Sequence, residues 1–434
     1  MAKWKSLFDN ISLAGIGFFL DNKHTYKGTA FQTVFATLRI SFARRSFFPL
    51  HHYSAVMKRS IIILLFISVL LPVRADKAQS QSITDNHHPR EFIFPDVPGF
   101  YTMSADLHIH TAFSDGHVLP RIRIQEAVRD RLDAISLTEH IEYLPHRDDI
   151  PLPDRNRPYE VASQLAQNED LIIINGAEIT RGMPPGHSNA IFLEDANKLV
   201  VDDVLDAYKA AAAQGAFIFW DHPSWKRQAS DAIPPFSDMH REMIADGLIH
   251  GVEVVNHHRF SEEALQIALD YDLTILANTD VHGLIDWDYD TEDGGHRSAT
   301  LIFAEERTKE GLKEALFDGR TVARKDHFLI GREEHLVPLL QACLVVTGSS
   351  YLPNTEVLEL EITNLSSNRF ILENISEYSF HLHTQVFEVE PFETMSILVK
   401  TVNVLDEISL PLRVLNAVMA PRTSPSITLE RVME

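Results

Sequence analysis

Asp106-Leu107-His108-Ile109-His110-Thr111-Ala112-Phe113-Ser114-Asp115-Gly116 is the stretch that decides how this chain is read. The apolar run 104–110 has the length of a buried strand, and side chains on a strand alternate between its two faces. His108 and His110 therefore share a face and form a chelating pair at the strand's C-terminal end. Asp280 and His282, again two apart, repeat the device after the run 273–278.

A solitary His-x-His is a weak signal, and thirteen histidines lie between residues 100 and 300. Placement is what gives it weight. Further apolar runs at 133–138, 170–176, 188–193, 215–220, 250–255 and 298–303 alternate with helical stretches. Val201, Val204, Leu205 and Tyr208 recur at helical spacing, and 261–270 opens with Ser261, Glu262 and Glu263 as a helix start should. This alternation predicts a parallel α/β fold, a TIM-like barrel over 101–335 of about seven or eight strands. In such barrels, functional residues sit at the C-terminal ends of strands. Those ends carry His108/His110, Glu139/His140, Glu178, His187 just before a strand, His222 and Asp280/His282.

Beyond about Leu336 the texture changes. Leu358, Leu360 and Ile362 alternate with Glu359, Glu361 and Thr363, and the runs 378–389 and 394–404 follow without a helix between them. Residues 340–434 read as a small antiparallel β-sandwich.

Charge is uneven along the 434 residues. Residues 1–75 hold ten Lys and Arg against Asp9 and Asp21, which leaves 29 basic and 59 acidic residues in the remainder. That excess of acid argues against tracking a nucleic acid backbone. The single cysteine, Cys343, excludes an internal disulfide and a cysteine-based zinc site, so any metal must take nitrogen and oxygen ligands.

From Met57 the sequence MKRSIIILLFISVLLPVRADKAQS has the basic start, short apolar run and small residues of a secretory signal, with cleavage expected near Ala75. Its apolar run, Ile61 to Leu71, is too short for comfortable bilayer spanning, so no stable membrane span is expected in the mature protein. The reading is then a non-native extension at 1–56, a signal at 57–75, a proline-marked leader at 76–100, and a mature protein that is periplasmic or secreted. An N-terminal anchor with a cytoplasmic extension is the alternative.

DLHIHTAFSDG, TEH, GAE, a lone His before a strand, DHP and TDVHG, in that order, resemble the motifs of the polymerase and histidinol phosphatase (PHP) superfamily over roughly 102–330. The resemblance implies a distorted (β/α)7 barrel with a trinuclear Zn, Mn or Fe cluster that hydrolyses phosphate esters. Carried over by position, the resemblance implies that His108, His110 and Asp280 would hold one metal. Glu178 would bridge it to a second held also by His187 and His222, while Asp115, His140 and His282 would hold the third. Glu139 departs from the aspartate usual before that histidine, which puts a supporting contact in doubt rather than a ligand. The signal and the β-rich C-terminus point to an exported branch that includes bacterial phosphodiesterases.

A hydroxide shared by two cations bridged through Glu178 is then the expected nucleophile. Arg181, Lys226 and Arg259 are candidate phosphate clamps, Trp225 a candidate pocket wall, and His257 or His258 a candidate acid for the leaving group. Beside the phosphodiesterase reading stand a phosphomonoesterase, an amidohydrolase-type metal hydrolase and a non-catalytic metal- or partner-binding protein. An amidohydrolase normally brings a bridging lysine, which has no evident counterpart here. A vestigial site would have lost some of its ligand residues. The sequence leaves the leaving alcohol and the oligomeric state open.

Overall fold

The computed structural model describes residues 90–433, so the expected extension, the signal and most of the leader lie outside the described residues. β1 (Tyr101–Ile109) runs parallel to β2 (Ala134–Leu137), and β2 parallel to β3 (Ile172–Ile179). β4 (Ser188–Ile191) is antiparallel to both β3 and β5 (Phe217–Trp220). β5 then runs parallel to β6 (Gly251–Asn256). β6 makes a hairpin with β7 (Arg259–Phe260) and pairs in parallel with β8 (Thr274–Asn278). On the other side of β1 lie β9 (Ala299–Ala304), β10 (Thr321–Lys325) and β11 (Phe328–Gly331), each antiparallel to its neighbour.

The sheet curls until its far side meets β1 again. Asp280 donates its N–H to the His108 carbonyl at 2.9 Å, and His110 donates to the Val281 carbonyl at 3.2 Å. The barrel expected to be parallel is thus a mixed, curled sheet. Only eight residues, 180–187, join β3 to β4, too few for the dozen or so that a parallel crossover needs, so the chain turns straight back. Between strands, helices such as Val204–Ala212 and Glu262–Asp270 start at Asp203 and Ser261, whose side chains accept backbone N–H groups of the first turn. They bury Ala207, Tyr208, Ala211, Ala264, Leu265 and Ala268 against the sheet. Among the described residues, no helix is long and apolar enough to cross a membrane.

Two four-stranded antiparallel sheets make up the C-terminal part. One joins Leu344–Tyr351, Val357–Asn364, Thr394–Lys400 and Ser379–Phe380; the other joins Val386–Val389, Phe370–Asn374, Glu407–Val414 and Ser426–Val432. Leu358, Leu360 and Ile362 point into the core between them. The helix Glu333–Cys343 crosses the boundary expected near 335–340 and runs directly into the first C-terminal strand.

The two parts are not loosely tethered. Ala417–Val418 adds a short parallel strand to β11, and one apolar core runs from Leu301 and Val322 through Leu336, Leu340 and Cys343 to Leu360 and Phe370. Burial pushes the Cys343 thiol up to about 12 and leaves it chemically inert.

Candidate metal centre

β1 delivers His108 and His110, both fully buried, to the mouth of the curl. His108 donates from Nδ1 to the Glu253 carboxylate at 2.9 Å. A carboxylate only accepts, so the proton is fixed on Nδ1 and the Nε2 lone pair faces the mouth. There, the Nε2 atoms of His108 and His110 lie 3.1 Å apart, at 3.2 and 3.0 Å from Oδ1 of Asp280. Both also approach Oε2 of Glu178, at 3.3 and 3.2 Å.

Glu178, fully buried at the end of β3, reaches His140 Nδ1 at 3.1 Å and His187 Nδ1 at 2.5 Å. Asp115 Oδ1 lies 3.3 Å from His140 Nε2, 3.1 Å from His282 Nε2 and 3.8 Å from His110 Nδ1. His222 borders the group, with Nε2 at 4.0 Å from Asp280 and its ring 5.0 Å from that of His187.

The donors sort into convergent sets of His108, His110 and Asp280; His108, Glu178 and His222; and Asp115, His110, His140 and His282. All nine residues expected from the sequence share one mouth. Relative to the expected grouping, His108 stands with Glu178 and His222, and His110 joins the third set.

The donor set fits divalent cations. It holds imidazole and carboxylate atoms alone, Glu178 Oε1 and His187 Nδ1 crowd to 2.5 Å, and His222 Nδ1 is buried without a hydrogen-bond partner among the described residues. Electrostatics follow from this crowding. Burial opposes charge on Glu178 and Asp280, yet the imidazoles around them hold both carboxyls well below the usual carboxylate range. Burial likewise opposes a charged His140, but Glu178 and Asp115 outweigh it and raise the imidazole to about 11. His222, more isolated, is pushed down by burial.

Further residues brace the donors from behind. Glu253 also accepts the His222 N–H at 2.7 Å and the amides of Asn256 and Asn278, each at 2.9 Å. The buried Arg123 donates to the carbonyls of His110, Val281 and His282, tying two donor-bearing segments together. Glu139 accepts the Thr111 N–H and the hydroxyls of Thr111 and Ser114, and so clamps the loop that carries Asp115. The departure at Glu139 is thus a loop contact. Backbone strain gathers here too: His222, His257 and Asp280 all adopt positive φ, at 31°, 52° and 54°. Each such non-glycine residue costs about 1–3 kcal/mol and persists because its surroundings fix it.

Two catalytic expectations change. Arg181 does not face the mouth: its Nε lies 2.8 Å from Glu142, and its Nη atoms donate to the carbonyls of Val201 and Asp202. It is a loop tie rather than a phosphate clamp. The cation lining the mouth is Arg227, whose guanidinium stacks 5.3 Å from the Trp225 ring. His257 lies beside the site and lines a neighbouring cavity. Burial and His258 lower its imidazole below the ordinary value, so at neutral pH it is a neutral hydrogen-bonding group rather than a charged acid. Glu253, Arg123 and Arg227 were not singled out from the sequence. Only Arg227 carried a signal, as a neighbour of Lys226 in the loop after His222.

A curled α/β sheet delivering nitrogen and oxygen donors to one mouth is the frame of a metal-dependent hydrolase. Residues 344–430 match the family model of an Ig-like domain. Among curated proteins, none matches the chain. Among solved structures, a two-domain protein from Bacteroides vulgatus, containing a predicted PHP-like metal-dependent phosphoesterase, is 38% identical with a TM-score of 0.74. That alignment covers 79% of this chain and 98% of the other. The chain belongs to this family of PHP-like metal-dependent phosphoesterases. A protein from Bifidobacterium adolescentis, provisionally described as a metal-dependent phosphoesterase, is 18% identical with a TM-score of 0.33, over 42% of this chain and 88% of its own. An amidohydrolase from Chromobacterium violaceum is 13% identical with a TM-score of 0.31, over the same shares. Neither similarity bears on chemistry.

Proposed function

We propose that this protein is a metal-dependent phosphodiesterase that holds two or three divalent cations, Zn, Mn or Fe, and cleaves a small phosphate diester. The observation that carries the reading is the convergence of His108, His110, Asp115, His140, Glu178, His187, His222, Asp280 and His282 on one mouth, beside a family relationship to PHP-like phosphoesterases. His108, His110 and Asp280 would hold one cation, Glu178 with His187 and His222 a second, and Asp115 with His140 and His282 a third, in the barrel mouth of a distorted (β/α)7 frame. When bound, such cations lower the pKa of a water and neutralise phosphoryl charge.

The chain's own residues do the rest. Glu253 and the Asp280 carbonyl, which accepts from His282 Nδ1 at 2.8 Å, fix the imidazole tautomers. Above the donors opens a cavity of about 500 Å³ lined by Tyr143, Thr180, Trp225 and Arg227, which orients the ester. Arg227 is the only Lys or Arg among the described residues lining it, which suits a singly charged diester better than a doubly charged monoester. A water oxygen bonds to phosphorus, the P–O bond to the alcohol breaks, and the alcohol oxygen keeps the electron pair and takes a proton. The products are a phosphomonoester and an alcohol.

Metal-loaded protein should hydrolyse bis(4-nitrophenyl) phosphate with a higher kcat/KM than 4-nitrophenyl phosphate. The reverse order would make it a monoesterase, turnover of an amide or lactone alone would favour the amidohydrolase reading, and substoichiometric metal would mark a vestigial site. We further propose export: natively expressed protein should begin near Asp76, and peptides from 4–53 would contradict it.

A further inference from the structure

Next to the large cavity lies a second one, of about 240 Å³, formed by the loop after β5 and the β6–β7 hairpin. The two share His222, Trp225 and Asp280. The larger one opens onto Asp115, His140, His187 and His282, over which the proposed function puts the phosphoryl group. The smaller reaches only His222 and Asp280 of the donors, so it can hold one substituent but not the phosphoryl group itself.

Trp225 stands between them. Its backbone N–H donates to the His222 carbonyl at 2.8 Å, and its ring packs 5.1 Å from that of His222 and 5.6 Å from that of His187. Behind it, Pro223 and Val254 give the smaller cavity an apolar wall. Ser224 and Ser261, hydrogen bonded to each other at 2.7 Å, and the half-buried His257 give it a polar one. At its rim stands Arg259, exposed, with no carboxylate partner among the described residues. By contrast Asn256, also in the wall, is committed to Glu253.

We propose that this second cavity seats the leaving alcohol, and that it selects a ring alcohol bearing an anionic group, the ring against Trp225 and Val254 and the anion on Arg259. The assignment rests on the phosphodiesterase reading. A flat, partly apolar body suits the aromatic wall, and an unpaired guanidinium is a donor fork for a carboxylate or phosphate. The alcohol leaves by the P–O cleavage written above, with His257 beside it as a neutral hydrogen-bond partner.

The test compares methyl 4-nitrophenyl phosphate with methyl 3-carboxy-4-nitrophenyl phosphate, which differ only in an anionic group on the leaving phenol. Metal-loaded wild type should favour the carboxylated ester in kcat/KM. Arg259→Ala should cut that preference about tenfold through KM, Arg259→Lys should restore part of it, and Arg259→Glu should reverse it, all with wild-type metal content. Ser224→Trp, which fills the cavity, should raise KM for both esters. An unchanged preference across the Arg259 series overturns the assignment while leaving the phosphodiesterase reading intact. No turnover of either ester by metal-loaded wild type overturns both.

Discussion

Glu253 is almost fully buried, and its two oxygens accept from His108, His222, Asn256 and Asn278. Glu253→Gln keeps the shape but offers a donor where two of those groups need an acceptor, so His108 loses its fixed tautomer. Metal affinity, read by competition with a chelator, should fall about 10–100-fold with little change in secondary structure. Titration behaviour gives a second test at this scale. In metal-free protein His140, raised to about 11, is protonated at neutral pH, and it stabilises the fold fully below its ordinary 6.5 and loses that stabilisation as pH rises through about 11. Glu178 and Asp280, held low, contribute above the ordinary carboxylate range and lose it on acidification. A cation takes the place of protons, so binding should release at least one proton at pH 7 and weaken as pH falls. Calorimetric titration with Zn²⁺ in two buffers of different ionisation enthalpy measures this; zero release contradicts it. The nine candidate donors, gathered at one mouth, were legible because metals demand particular residue types at particular strand ends. Glu253 was not, since a glutamate within a strand reads as solvent-facing until tertiary structure buries it. Arg181 was misplaced for a related reason: nearness to Glu178 along the chain says nothing of Glu142, which captures it.

At the scale of elements, the loop between β1 and the helix Pro120–Arg129 sets the third donor group. Gly116 donates its N–H to the Thr111 carbonyl, and a Cβ there would sit 2.8 Å from backbone atoms of His110 and Thr111. Backbone cannot yield cheaply, so Gly116→Ala should cost about 1–3 kcal/mol of stability. It should also displace Asp115, leaving fewer metal ions per chain by elemental analysis; full occupancy with an unchanged melting temperature would sink the argument. Each apolar run expected as a strand matches one, because buried strands are short and continuous in their hydrophobicity. What the runs could not reveal was direction. The reversal at β4 depends on the length of its loops and not on the composition of its strand.

Across the whole molecule, the segment before β1 is wedged between the two parts. Ile93 and Ser367 exchange backbone and side-chain hydrogen bonds, at 2.8 and 3.0 Å, and Arg324 lies 4.5 Å from the Phe92 ring while donating to the Ser367 carbonyl. Asn416 binds the His327 and Arg369 carbonyls and accepts from Ile371. With so continuous an interface, calorimetry should show one unfolding transition for residues of both parts. Asn416→Ala should lower its midpoint by the equivalent of about 2–4 kcal/mol, without splitting it. Two resolved transitions would contradict the shared core. None of this junction was visible in the sequence, because its partners lie far apart along the chain, 274 residues for Ile93 and Ser367.

The closure of the curl, where Asp280 bonds to His108, has a temporal side. At roughly 5–20 residues per second, a ribosome makes His282 some ~10–35 s after His108. Until then the nascent chain offers cations only a partial chelate, from which they exchange freely. A complete site therefore first exists where the whole chain has folded, and for an exported protein that is the compartment in which its cations would be met.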